Sequence, residues 1–140
     1  MHIHPALVHF PIVLLIVAGI CYALARWSGE LPWSKFGWYL HLSGLVGLAL
    51  AVFSGLSADS DLILDTEPRE LLDQHTLQGY VLVWWFALLA VWYFLRHRRV
   101  KTTEWIFFLL LFALGLGLLG YSAWLGGHLV YDFGVGVQKN

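Results

Sequence analysis

The sequence predicts an all-α integral membrane four-helix bundle with both termini outside, on the periplasmic side. Three observations carry this. Hydrophobic residues fill 59% of the 140 positions and charged residues only 12%, against about 45–50% apolar and roughly 25% charged in an ordinary soluble domain. A water-soluble globule is thereby excluded. Four stretches contain no Asp, Glu, Lys or Arg, at 1–25, 36–58, 74–95 and 105–131, and each meets the ~20 helical residues that a ~30 Å hydrocarbon layer requires. The third observation is that the positive charges gather in two of the three connections between these stretches. Period-2 alternation of the barrel type is absent, and backbone polar groups cannot be left open in lipid, so helices are the spanning form. Residues 1–140 read as one transmembrane domain with helices near 5–25, 37–57, 75–95 and 105–126 and a short tail at 127–140.

The first apolar stretch begins Met-His-Ile-His-Pro, with no Lys or Arg before Arg26. A cleavable signal needs a basic start, so this segment reads as a retained helix despite the small-x-small look of Ala23-Leu24-Ala25. Pro5 suits a first helical turn, where its missing N–H costs nothing. Pro11 then falls inside the helix and frees the carbonyl of Leu7, which predicts a bend there. The second and fourth stretches carry the glycines Gly44, Gly47 and Gly55 and the run Gly115-x-Gly117-x-x-Gly120. The latter matches a dinucleotide fingerprint on paper, but it sits inside an apolar helix with no strand before it and reads as a packing face.

Orientation follows from charge. The third connection carries Arg96, Arg98, Arg99 and Lys101 and the first carries Arg26 and Lys35, while the second holds Asp59, Asp61, Asp65, Glu67, Glu70 and Asp73 against Arg69 alone. The positive-inside rule places the basic connections in the cytoplasm and the acidic one outside. Trp27, Trp33, Trp38, Tyr39, Trp92, Tyr93, Trp105, Trp124 and Tyr131 lie near helix ends, as interfacial anchors do. The acidic connection lacks calcium-loop spacing and reads as a solvated loop. Eight basic residues against nine acidic ones leave a formal charge of −1, so there is no basic footprint for nucleic acid. Cys21 is the single cysteine, which excludes an internal disulfide and an all-cysteine metal site. No Gly-x-Ser-x-Gly elbow is present, and no catalytic residue is assigned.

On this orientation His2, His4, His9, His75 and His128 fall at the outer helix ends, and His41 and His97 face inward. An ionisable residue just inside the apolar layer is costly unless paired or liganded. His9 and His75 meet that description at similar depth. Two imidazoles facing each other from neighbouring helices are what a six-coordinate haem requires, and Gly79, one turn after His75, leaves a gap on that face. The spacing predicts a haem b with His9 and His75 as axial ligands. An alternative set, His4, His9, His75 and His128, suits copper or zinc. A third option is that His9 and His75 are interfacial residues bonded to backbone or to Asp59 and Asp73.

The run His4-Pro5-Ala6-Leu7-Val8-His9-Phe10-Pro11-Ile12 and the close Gly126-Gly127-His128-Leu129-Val130-Tyr131, followed by Gly134-Val135-Gly136-Val137, resemble the opening and closing motifs of small bacterial membrane proteins grouped as domain of unknown function 2231. The resemblance spans nearly the whole chain. It implies a four-helix integral membrane protein, places His4, His9 and His75 on the family's histidine positions, and places Gly126, Gly127 and Tyr131 on its terminal ones. His128 departs from the pattern, which has a glutamate or another polar residue there. Some relatives are joined to Rieske-type iron–sulfur domains, which implies redox surroundings.

The expectation is therefore a b-type cytochrome in the bacterial inner membrane, embedded in the lipid bilayer and exchanging single electrons with a periplasmic redox carrier, a quinone or a larger membrane complex, as a monomer or a homo-oligomer. The alternative is a non-enzymatic anchor or assembly subunit that binds copper, zinc or no metal. A transporter is disfavoured, because no internal repeat or pore-lining polar pair is evident in the sequence.

Overall fold

The computed structural model describes residues 3–29, 31–59, 65–96 and 101–135. His2, Asp61, His97, Arg98, Arg99 and the end of the tail lie outside them. Within them the chain is four helices, α1 (Ile3–Ser28), α2 (Leu31–Asp59), α3 (Thr66–Arg96) and α4 (Thr102–Tyr131), all long and apolar enough to cross a membrane. Each helix packs on its neighbours in sequence, and α4 closes back onto α1. The result is an antiparallel bundle with α1 diagonal to α3 and α2 diagonal to α4.

Every helix outruns its sequence estimate, because a charge-free stretch measures the hydrocarbon layer and not the helix. At 1.5 Å per residue α3 is roughly 46 Å long, well beyond the ~30 Å layer. Its first turns run through much of the expected acidic loop. Glu67 suits the positive helix N-terminus, Pro68 needs no partner in the first turn, and the Arg69 N–H closes on the Asp65 carbonyl at 3.1 Å. α1 continues past Pro11, whose ring is fully buried. It ends at Gly29, which adopts φ +70° and returns its N–H to the Ala25 carbonyl at 3.1 Å. Only a residue without Cβ takes that left-handed position cheaply, so the connection to α2 is tight. The expected tail from 127 is helical as far as Tyr131. Gly126 and Gly127 each weaken a helix by about 1 kcal/mol, but Leu125 and Leu129 on either side are buried and hold the turn in place. Gly134, at φ +63°, closes α4 through its N–H to the Val130 carbonyl.

The two hairpins repeat each other, which the sequence reading missed. The buried residues of α1 include Pro11, Leu15, Ala18 and Tyr22, beside Cys21, and those of α3 include Leu82, Phe86, Leu89 and Tyr93, beside Pro68 and Ala90. Pro11, Leu15, Ala18 and Tyr22 each lie 71 positions before their α3 counterparts. The same offset relates Gly37, His41, Gly44, Leu48 and Ala51 of α2 to Phe108, Phe112, Gly115, Leu119 and Ser122 of α4, all buried. It also relates His4 to His75 and Gly55 to Gly126. A quasi-two-fold axis along the bundle is the simplest account of this register.

Among the described residues the diagonal helices α1 and α3 meet through long side chains, at both ends of that axis. At the end away from the termini the Tyr22 and Tyr93 rings lie 5.0 Å apart, within a cluster with Trp38, Trp105, Phe108 and Phe112. His41 is wholly buried in this half. Its Nε2–H donates to the Phe86 carbonyl at 3.0 Å and its Nδ1 accepts from the Tyr22 hydroxyl at 3.3 Å. Both of its nitrogens are spent, so His41 is a structural tie between α1, α2 and α3. The Tyr93 hydroxyl donates to the Ser34 carbonyl at 3.2 Å, and the Trp85 indole donates to the Leu111 carbonyl at 3.1 Å. In lipid there is little hydrophobic drive between helices, so such bonds and close small-residue contacts hold the bundle together. Gly115 meets Trp85 and Phe86 as a packing position should, whereas Gly117 and Gly120 face open space.

Candidate functional site

At the end carrying the chain termini, the other diagonal contact is between His4 and His75. Their ring centroids are 6.5 Å apart and their planes nearly perpendicular, at 87°. His4 enters the bundle because α1 begins at Ile3, which puts it on the same stripe as Pro11 and Leu15. Its Nδ1 lies 2.8 Å from the Ser54 hydroxyl on α2, and the ring also bonds the Ala51 carbonyl. His75 makes the corresponding contacts with α4: its Nδ1 is 3.4 Å from the Ser122 hydroxyl, and its ring bonds the Ser122 carbonyl. Burial holds His4 below the ordinary histidine pKa, outweighing the carbonyl that favours its charged form. His4 is thus a neutral imidazole at neutral pH, the form that ligates metals.

Each ring lies over a glycine. A Cβ on Gly55 would stand 3.1 Å from His4 Cε1, and one on Gly126 would stand 3.2 Å from His75 Cε1. Both rings line a part-open cavity of about 350 Å³, walled mainly by Val8, Ile12, Leu48, Val52, Leu82 and Leu119, with Gly79, Gly127 and Tyr131 also contributing. The end of α4 from Gly126 to Tyr131, of which all but Gly126 was expected as a tail, is a helical wall of this cavity. Its volume is at the lower end of ordinary small-molecule sites, roughly 300–1,000 Å³.

The sequence-predicted residues divide clearly. His75 and Gly79 line the cavity, and so does His9, which is exposed on a neighbouring face of α1, but the gap expected at Gly79 is taken up by Val52, whose Cγ2 lies 3.0 Å from where a Cβ would stand. The ring that meets His75 is that of His4. His128 stands apart: its ring stacks on Trp124 and pairs with Asp132. The four-histidine set for copper or zinc is therefore not gathered at one point, and among the described residues no three His, Cys, Asp or Glu side chains are grouped as a metal ion would need. His75 bonds the carbonyl and hydroxyl of Ser122, which is the backbone partner the interfacial option allowed; the side chain of Asp59 lies outside the described residues. Ser54, Ala51, Ser122 and the ring-facing role of Gly55 and Gly126 were missed. A comparison of the sequence with itself at the 71-residue offset would have paired His4 with His75 and Gly55 with Gly126, and His9 with Tyr80, which is no ligand counterpart.

The donor set fits a haem b. Two imidazoles bound to opposite faces of one metal at ~2.0–2.1 Å place their centroids roughly 6–6.5 Å apart, the separation seen here. The flanking glycines leave open the space that side chains would fill, and the walls are apolar. Fold and site together define a four-helix membrane protein with a two-histidine cavity on its axis. The chain belongs to the family described as Predicted membrane protein (DUF2231), which it matches over residues 1–139. No curated protein and no solved structure matches it.

Proposed function

We propose that this protein is a membrane b-type cytochrome that passes single electrons, with His4 and His75 as the axial ligands of one haem b. The observation that carries the reading is the His4–His75 ring pair on the bundle axis, at ligating separation, within an apolar cavity. His4 in this role replaces His9, whose counterpart in the second hairpin is Tyr80. When bound, the haem supplies one-electron chemistry. The chain's part is to hold two neutral imidazoles, exclude water with Leu48, Val52, Leu82 and Leu119, and leave room beside Gly55 and Gly126. The acidic start of α3 and the basic connections support placing the site on the periplasmic side of a bacterial inner membrane by the positive-inside rule, where a periplasmic carrier or a quinone exchanges electrons with it.

The test is a dithionite-reduced minus oxidised visible spectrum of the purified protein, with a pyridine haemochrome assay for stoichiometry. A narrow b-type α-band at about one haem per chain is expected. A flat spectrum removes the reading, and copper or zinc found in its place by metal analysis transfers the weight to a metal-binding membrane subunit. A reporter placed in the 97–101 connection is expected to be reached only from the cytoplasm.

A further inference from the structure

Ser54 is not the donor in its contact with His4. Its hydroxyl hydrogen goes to the Ala51 carbonyl at 2.8 Å, and the His4 ring bonds that same carbonyl. With the serine hydrogen spent on that carbonyl, the hydrogen in the 2.8 Å contact between His4 Nδ1 and Ser54 Oγ comes from the ring, so Nδ1 carries it. For His75 the acceptor is the Ser122 carbonyl, which the ring bonds and which cannot donate, and the Nδ1 lies 3.4 Å from the hydroxyl of that same residue. Positions 51 and 122 are counterparts under the 71-residue repeat, so both halves of the molecule offer their histidine the same backbone acceptor. A serine hydroxyl supplements it each time, from Ser54 in one half and from Ser122 itself in the other. His41 is held the opposite way, with its hydrogen on Nε2 facing the Phe86 carbonyl.

We propose that Ser54 and Ser122 are positioning residues that, with the carbonyls of residues 51 and 122, hold His4 and His75 in the Nδ1–H tautomer and leave both Nε2 lone pairs to one shared ligand. A free histidine side chain prefers the Nε2–H form, so the fold imposes this state on both rings. Metal-binding histidines generally donate their other N–H to a carboxylate, carbonyl or water, which fixes the ring and raises its basicity. The tautomer stands on the hydrogen bonds alone, while its consequence for iron rests on the haem reading above.

The experiment has two arms, chosen by the pyridine haemochrome assay on the full-length protein as purified. In haem-free protein labelled with ¹⁵N-histidine, long-range ¹H–¹⁵N correlation spectra are expected to show Nδ1–H at His4 and His75 and Nε2–H at His41. Ser54→Ala is expected to move the Nδ1 resonance of His4 only, and Ser122→Ala that of His75 only. In haem-loaded protein, each serine variant is expected to keep its haem and its low-spin spectrum. Its midpoint potential should rise, because a ring that donates more weakly stabilises ferric iron less. A tenfold change in the ferric–ferrous equilibrium is about 59 mV for one electron, and a shift of up to that size is expected. An Nε2–H tautomer at His4 or His75, or serine variants that change neither resonance nor potential, overturns the proposal. Absence of haem with both rings in the Nδ1–H form overturns the haem reading alone and leaves this proposal supported.

Discussion

Set side by side, the α1–α2 and α3–α4 hairpins bury the same register and fill it differently. Where the first has Leu15 against Gly44, the second has Phe86 and Trp85 against Gly115, and where the first has His41, the second has Phe112. At five of these register pairs they agree in residue type as well as position: His4 with His75, Tyr22 with Tyr93, Gly44 with Gly115, Leu48 with Leu119, and Gly55 with Gly126. Packing tolerates substitution by volume, so the faces of two related hairpins drift apart wherever only space has to be filled. A ligand on the axis between them asks the same donor of both. The comparison separates His4 and His75, which both halves keep, from His41, which one half replaces with an apolar ring of similar reach.

The largest expected effect breaks that comparison at the two proposed ligands. His4→Leu and His75→Leu are each expected to abolish the low-spin haem spectrum, while His9→Leu keeps it, measured on purified protein at matched haem supply. Loss in the His9 variant with retention in the His4 variant would restore the pairing that the sequence suggested. Gly55→Ala and Gly126→Ala press a methyl group against the two rings and are expected to perturb the spectrum in similar measure.

How much was legible in advance turns on what each signal measures. Apolar length and charge placement report the bilayer, so four spans and their approximate centres followed from the sequence. The helix ends did not, because Thr66, Glu67 and Pro68 make a helix start that no bilayer argument weighs. The site was half legible. His75 and Gly79, which line the cavity, were singled out because they stand inside an apolar stretch, but His4 was placed ahead of a helix assumed to start at Pro5, so its ring contact with His75 was not foreseen and His9 was paired with His75 instead. Ser54 and Ser122 are ordinary residues for a membrane helix, and only the neighbouring helix that brings an imidazole to them gives them a task.

A smaller effect tests the middle of the bundle. A Cβ on Gly115 would stand 2.8 Å from Trp85 Cδ1 and Nε1, and one on Gly44 would stand 2.8 Å from Leu15 Cγ. Overpacking of this kind costs about 1–3 kcal/mol. Gly115→Ala is expected to be the more damaging, because the rigid indole must move and its bond to the Leu111 carbonyl goes with it. Thermal unfolding in detergent ranks the two, and equal losses would mean that Trp85 yields as easily as Leu15.

His41→Phe makes the first hairpin a closer copy of the second. It leaves the Phe86 carbonyl and the Tyr22 hydroxyl without the partner described here, at about 1–3 kcal/mol for each group that stays unsatisfied. The variant is expected to melt earlier and to retain its haem spectrum unchanged. A lost spectrum in a folded His41→Phe protein would show that His41 serves the site, against its absence from the second hairpin.

The smallest expected effect concerns pH and separates His4 from its surroundings. Burial lowers its folded-state pKa from the ordinary 6.5. As pH falls below 6.5 the unfolded chain therefore takes up a proton that the folded one refuses. Stability rises with pH wherever the unfolded state binds more protons, so the contribution is intact above 6.5 and declines as pH falls toward the folded value. The melting temperature of the haem-free protein is expected to drop across that interval. His4→Gln keeps a polar side chain without a titrating group, and its profile there should be flatter. An equally steep profile in His4→Gln would assign the acid sensitivity to other groups and leave the neutrality of His4 without support from stability.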